Sequence, residues 1–174
     1  MKLRASLLCL VLVVALGSAS LLLARGILFL KEGSAKVIGP TRTLLVTKPG
    51  ARVAMFVGDR VQTGRNTKVY IQIWDKPEAV ELSSRSFFRL DNVTTESTSL
   101  ALLTGKGRFK VERLGKKQKL SKFGKKRFKV RTVTAIVGVR GTDFVIAATN
   151  MQTSLLTLSG TVSIAPVEMP DVEI

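Results

Sequence analysis

Apolar and polar residues alternate along this chain in short runs, at 26–37, 43–46, 68–73, 79–82, 86–90, 99–103, 108–111, 127–131, 135–139, 144–147, 154–158 and 161–164. A period of two sends successive side chains to opposite faces of an extended chain, so each run reads as a strand with one buried face. Gly, Pro, Asn or Asp punctuates the intervals, and short strands at near-regular spacing predict an all-β domain. Three runs share a simple pattern, a glycine followed by alternating small or charged and apolar residues: Gly33-Ser34-Ala35-Lys36-Val37, Gly105-Lys106-Gly107-Arg108-Phe109 and Gly160-Thr161-Val162-Ser163-Ile164. Short strands returning through glycine turns would bury one continuous apolar seam.

The β-branched stretch 130–146 is broken by one polar knot, Val139-Arg140-Gly141-Thr142-Asp143-Phe144. Gly141 can take a positive φ or admit a second backbone, and Arg140 and Asp143 can pair or cap across the resulting kink. The segment therefore predicts a bulge or corner between two strands. Its polar groups do not suit catalysis: a lone Asp beside an Arg has its pKa pushed down, away from the working range of a general base. Gly138-x-x-Gly141 lacks the Lys-Ser/Thr continuation of a phosphate loop. Tyr70 and Trp74, at the end of a long apolar strand, read as core or sheet-covering aromatics.

Arg131, Thr132, Ala135, Gly138, Val139, Arg140, Gly141, Thr142 and Phe144 follow the pattern R-T-x-x-A-x-x-G-V-R-G-T-x-F. That pattern resembles the signature of the FecR domain, a family named after the ferric-citrate regulator of bacterial cell-envelope signalling. Upstream, Pro49-Gly50 and Val57-Gly58-Asp59-Arg60-Val61-Gln62-Thr63-Gly64 resemble the family's P-G-x(n)-G-D-x-V-x-T-G block, and 157–164 is similar to its closing strand. The resemblance covers about residues 25–165. Two departures stand out: Val133 replaces the proline common after the first Thr, and Trp74-Asp75-Lys76-Pro77 replaces an aspartate-glycine turn. The resemblance implies a solenoid-like stack of short strands or a twisted β-sandwich. It gives Arg131, Thr132, Gly138, Val139, Arg140, Gly141, Thr142, Asp143 and Phe144 a structural role.

A basic start (Lys2, Arg4), an apolar stretch at 5–16 and the small-residue site Gly17-Ser18-Ala19 form the pattern of a secretory signal peptide, cleaved after Ala19. The uncharged run continues to Ala24, about the 20 residues that span a bilayer, so an uncleaved anchor helix over 1–24 is the competitor. Both readings place a 25–165 β domain outside the cytoplasm, periplasmic or anchored to the membrane through 5–24. Residues 166–174, with two prolines and three acids, read as a loose C-terminal tail. The chain has no histidine, and its one cysteine, Cys9, lies in the apolar run. Zinc hydrolysis, His-dependent triads and thiol chemistry are thereby excluded, and neither a metal site nor a cofactor is expected.

The charge of +16 is concentrated: residues 105–132 hold 13 Lys or Arg against Glu112 alone. Arg108-Phe109-Lys110-Val111 and Arg127-Phe128-Lys129-Val130-Arg131 would bury Phe and Val and show cations. Joined as a hairpin, they would form a basic sheet face. Lys116, Lys117, Lys119, Lys122, Lys125, Lys126 and Arg127 are the candidate partner-binding residues, for an anionic envelope polymer or lipid headgroup. A solvated loop that protects a β-edge is the alternative. Nucleic acid is disfavoured, because export argues against it and the segment lacks aromatic stacking platforms.

Three functions compete. FecR-like signalling proteins join a cytoplasmic sigma-factor-binding region to a periplasmic sensing domain. With only residues 1–4 ahead of the apolar run, the expectation here is a stand-alone, non-enzymatic binding and regulatory module with an envelope protein partner. The rival is an adaptor for anionic polymer or lipid, and no residue pattern supports an enzyme.

Overall fold

Period-two alternation in the sequence becomes period-two burial in the computed structural model, which describes residues 24–73, 78–94, 96–112, 127–139 and 141–167. These residues form fourteen strands and no helix: β1 Gly26–Glu32, β2 Ala35–Ile38, β3 Thr43–Val46, β4 Arg52–Met55, β5 Arg60–Thr63, β6 Lys68–Ile73, β7 Glu78–Leu82, β8 Phe87–Val93, β9 Ser97–Val111, β10 Arg127–Arg131, β11 Ala135–Val139, β12 Asp143–Ala148, β13 Thr153–Ser159 and β14 Val162–Pro166. The predicted signal or anchor helix lies outside the described residues. Among the described residues no helix is long and apolar enough to cross a membrane.

The strands form one curled sheet whose two halves pack as layers, the first ordered β4-β1-β6-β7-β9-β12-β13 and the second β3-β2-β5-β8-β9-β10-β11-β14. Strand β9 belongs to both: Thr98 to Thr104 pair with β8, and Gly107 to Val111 pair with β7. One apolar cluster fills the space between the layers. At its centre Phe109 of β9 stacks on Phe144 of β12 at 5.3 Å and meets Phe128 of β10, from the other layer, edge-on at 6.5 Å. Such pairs add to the gain from burying three large rings.

The predicted strand at 26–37 is two strands, and the predicted strands at 99–103 and 108–111 are one. Both differences have the same cause: at Gly33 and at Gly105 the chain changes layer, and at Gly105 it does so without losing its ladder. Strands β4 and β5 were not predicted from the alternation. The β9–β10 hairpin is also corrected. Strand β10 runs parallel to β9 and pairs Arg127 with Ser97 through Arg131 with Ala101, in the second layer. Arg108 and Lys110 lie in the first layer, where β7 and β12 already flank them.

Six of the layer changes form three opposed pairs, and the three glycine-led repeats are one half of each pair. Gly33, Gly105 and Gly160 have φ of 77°, 95° and 91°. A Cβ on them would collide with Thr67, Ser86 and Thr142 of the opposing corners. Those opposing corners read Gly64-Arg65-Asn66-Thr67, Ser83-Ser84-Arg85-Ser86 and Val139-Arg140-Gly141-Thr142. In each, the third residue has positive φ (Asn66 49°, Arg85 54°, Gly141 63°) and the fourth turns a hydroxyl inward. Thr67 Oγ1 accepts from Ser34 N at 3.0 Å and donates toward Ser34 O at 3.1 Å. Ser86 Oγ does the same with Lys106 N and O, both at 3.1 Å. Thr142 Oγ1, though buried, makes no hydrogen bond.

Candidate functional site

The residues singled out by the 130–146 pattern meet at the third corner. Gly141 joins β11 to β12, and the register shifts between Asp143 and Phe144 against β13, so the expected interruption is both a corner and a bulge. Phe144 is fully buried and Val139 nearly so. Asp143 is gripped in two-pronged fashion by Arg108 of β9, Nε at 2.9 Å and Nη2 at 2.7 Å. The hydrogen bonds from Arg108 hold the Asp143 carboxyl below its ordinary value, and the same contact raises Arg108. Among the described residues the partner of Asp143 is thus Arg108, thirty-five positions away, a contact no local pattern pointed to. Arg140 lies outside the described residues. An Asp held ionised this way is a poor proton acceptor.

The flanking residues are also tied into the frame. Thr132 Oγ1 accepts from Ala135 N at 2.9 Å and lies 2.6 Å from Thr153 Oγ1, closing the β10–β11 turn. Gly138 O accepts from Ser163 Oγ at 3.1 Å, and Arg131 is exposed. In the upstream block, buried Asp59 accepts from Arg42 and from Phe56 N. Thr63 Oγ1 donates to Ser83 O at 2.6 Å and accepts from Ser86 N at 2.8 Å. These motif residues hold corners and crossing loops together.

The FecR protein family matches residues 59–163, a span running from buried Asp59 through the third corner to β14. The chain belongs to the FecR family. No curated protein and no solved structure matches it. FecR proteins are regulators of cell-envelope signalling, not a family of enzymes, and typically act in the periplasm or at the membrane. Among the described residues of this FecR-family chain, no three His, Cys, Asp or Glu side chains come together.

Of the seven candidate cations, Lys116, Lys117, Lys119, Lys122, Lys125 and Lys126 lie outside the described residues, and Arg127 is placed by its backbone register opposite Ser97. Trp74 is also outside, while Tyr70 faces outward, half-buried, with its ring 5.9 Å from Phe29 and Lys31 above it. Two surfaces emerge that no short motif announced. One is the end formed by edge strands β13 and β14, where Leu156, Leu158 and Ile164 are 60%, 51% and 54% exposed. Residues 141–167 contain no Lys or Arg, an unusual run in so basic a chain, and that was the available sequence signal. The other is the outer face of the second layer, where strands distant in sequence bring arginines side by side.

Proposed function

We propose that the chain is a non-enzymatic, extracytoplasmic regulatory module that works through protein–protein contacts in cell-envelope signalling, with the β13–β14 end as its contact surface. The observation that carries this reading is the edge strand β13, Thr153–Ser159, which has no charge and no proline and shows Leu156 and Leu158 to solvent. Soluble proteins normally blunt such an edge, and an unblunted one is a template for an added strand whose alternate side chains set specificity. The test is photo-crosslinking in intact cells from position 156 and, as a control, from position 31 on the first layer. Discrete protein adducts from 156 that disappear when Leu158→Lys is added support the reading. Equal labelling from both positions, or none from 156, sinks it.

The alternative, an adaptor for anionic polymer or lipid headgroups working through residues 105–132, is favoured by one described feature: Lys129 and Arg131 of β10 are exposed and project from the same side of the strand. Replacing Lys116, Lys117, Lys119, Lys122, Lys125, Lys126 and Arg127 by Gln should leave folding nearly unchanged, because exposed charges contribute little to stability. Binding to purified envelope polysaccharide should fall sharply, and equal binding by both proteins at every salt concentration counts against this reading.

A further inference from the structure

We propose that the outer face of the second layer is a docking surface for an anionic lipid bilayer, apart from the strand edge at β13; the proposal deepens the lipid-headgroup alternative above, with which it shares Lys129 and Arg131. The register sets Arg60 of β5 directly opposite Arg89 of β8. It sets both Arg89 and Arg131 opposite Ala101 of β9, so three arginines form one row across four neighbouring strands. Their neighbours along the chain, Val61, Phe88, Leu90 and Val130, are buried, which turns the arginines outward. Lys36 and Lys129 extend the cationic face, and both are exposed.

Like charges opposite one another on adjacent strands destabilise a sheet, and a fold selected for stability alone would set a carboxylate in this row. Asp91, bonded to Arg89, is the single acid on all the strands of this layer. The outer face of the first layer differs: there Glu32 pairs with Lys68 at 3.1 Å and Asp143 with Arg108 at 2.7 Å. Both faces carry exposed cations, but on the first the register sets acids opposite them, Asp143 against Lys110 and Glu81 against Arg108, whereas on the second it sets arginine against arginine.

Apolar residues decide which anion fits. Leu45, 71% exposed, stands opposite Lys36, and Ile136, 37% exposed, stands opposite Arg131. A hydrated polyanion would use the guanidiniums and leave these side chains in water. A bilayer surface uses both, with phosphate oxygens on the arginines and apolar tips at the headgroup boundary. The breadth of the face, from β3 to β11, suits a plane better than a single strand of polymer.

The experiment measures partitioning of the full chain onto vesicles of phosphatidylcholine alone and of phosphatidylcholine with about one-third phosphatidylglycerol. The apolar 5–24 run is common to every protein compared and acts on both vesicles, so the anionic-to-neutral ratio is the readout. Arg60→Gln, Arg89→Gln and Arg131→Gln together should lower that ratio about a hundredfold, from the usual attraction of a cation at an anionic surface. Lys31→Gln, Arg52→Gln and Lys110→Gln on the first layer should change it little. Leu45→Ser with Ile136→Ser should weaken partitioning onto the anionic vesicles while leaving binding to soluble polyphosphate unchanged. An unchanged ratio in the row variant, or an equal fall in both charge variants, overturns the proposal. So does a Leu45 and Ile136 variant that partitions like wild type, which would make the face a polyanion site. If the row variant does not fold, the wild-type ratio carries the test. It should collapse as added salt shortens the Debye length from about 10 Å to about 3 Å, and a ratio indifferent to salt overturns the idea. Loss of crosslinking at position 156 has no bearing on any of these outcomes.

Discussion

The three opposed corners make a quantitative prediction, because they share a backbone design and differ in one hydrogen-bonded group. Thr67→Val keeps the volume and β-branching of the side chain but removes the hydroxyl that accepts from Ser34 N and donates to the carbonyls of Ser34 and Arg65. Ser34 N then faces a methyl group, and a donor left unpaired away from water costs about 1–3 kcal/mol. For a domain of this size that corresponds to a melting temperature lower by about 3–10 °C. Thr142→Val at the third corner removes a buried hydroxyl that makes no hydrogen bond, so nothing is orphaned and the cost of burying the hydroxyl is relieved. The expected change is within about 0.5 kcal/mol of zero or stabilising. Thermal and urea unfolding of the two variants, followed by far-ultraviolet circular dichroism, measures the contrast. If Thr142→Val loses as much as Thr67→Val, the third corner is closed by a hydrogen bond like the other two, and the asymmetry argued here is wrong. If Thr67→Val melts with wild type, the hydroxyl clamp does not hold the first corner.

Gly141→Val should destabilise the domain by about 1–3 kcal/mol, since Gly141 sits at φ 63° where a β-branched residue is strained; superimposable urea curves would refute this. Asp143 has a folded pKa below its unfolded one, so its contribution to stability is present above the unfolded carboxylate pKa and is lost as pH falls through the folded value. The stability gap between wild type and Asp143→Asn should therefore narrow on acidification below the ordinary carboxylate range, and a gap independent of pH contradicts the ion pair. Export predicts a mature protein that starts near Ser20, read by N-terminal sequencing of envelope fractions; intact protein starting at Met1 in the soluble cytoplasm would count against it.

Local pattern was enough for the β character and for the corner at Gly141. Alternation fixes which side chains can share a face, and a glycine among β-branched residues needs a backbone reason wherever it occurs. It was also enough to single out the motif blocks around Asp59 and Gly141, but not the partners they brace against, Arg42, Ser83 and Arg108, which come from other loops and strands. The glycine-led repeats were visible as well, but not their meaning. Gly33, Gly105 and Gly160 matter because Thr67, Ser86 and Thr142 press against them, and those partners carry no common pattern that a single chain displays.

Pairing at long separation was closed to sequence reading, and the parallel return of β10 to Ser97–Ala101 shows why. The adjacent basic strands favoured a hairpin, but Phe109 and Phe128 reach the same core from opposite layers, a choice made by packing across the whole domain. The sequence by itself determined that this is an all-β domain with FecR motifs and a large cationic surplus. Only the tertiary structure decided that Arg60, Arg89 and Arg131 stand in one row and that Asp143 answers to Arg108. Register between distant strands is set by the collective fit of one buried face, and no local run of residues contains that information.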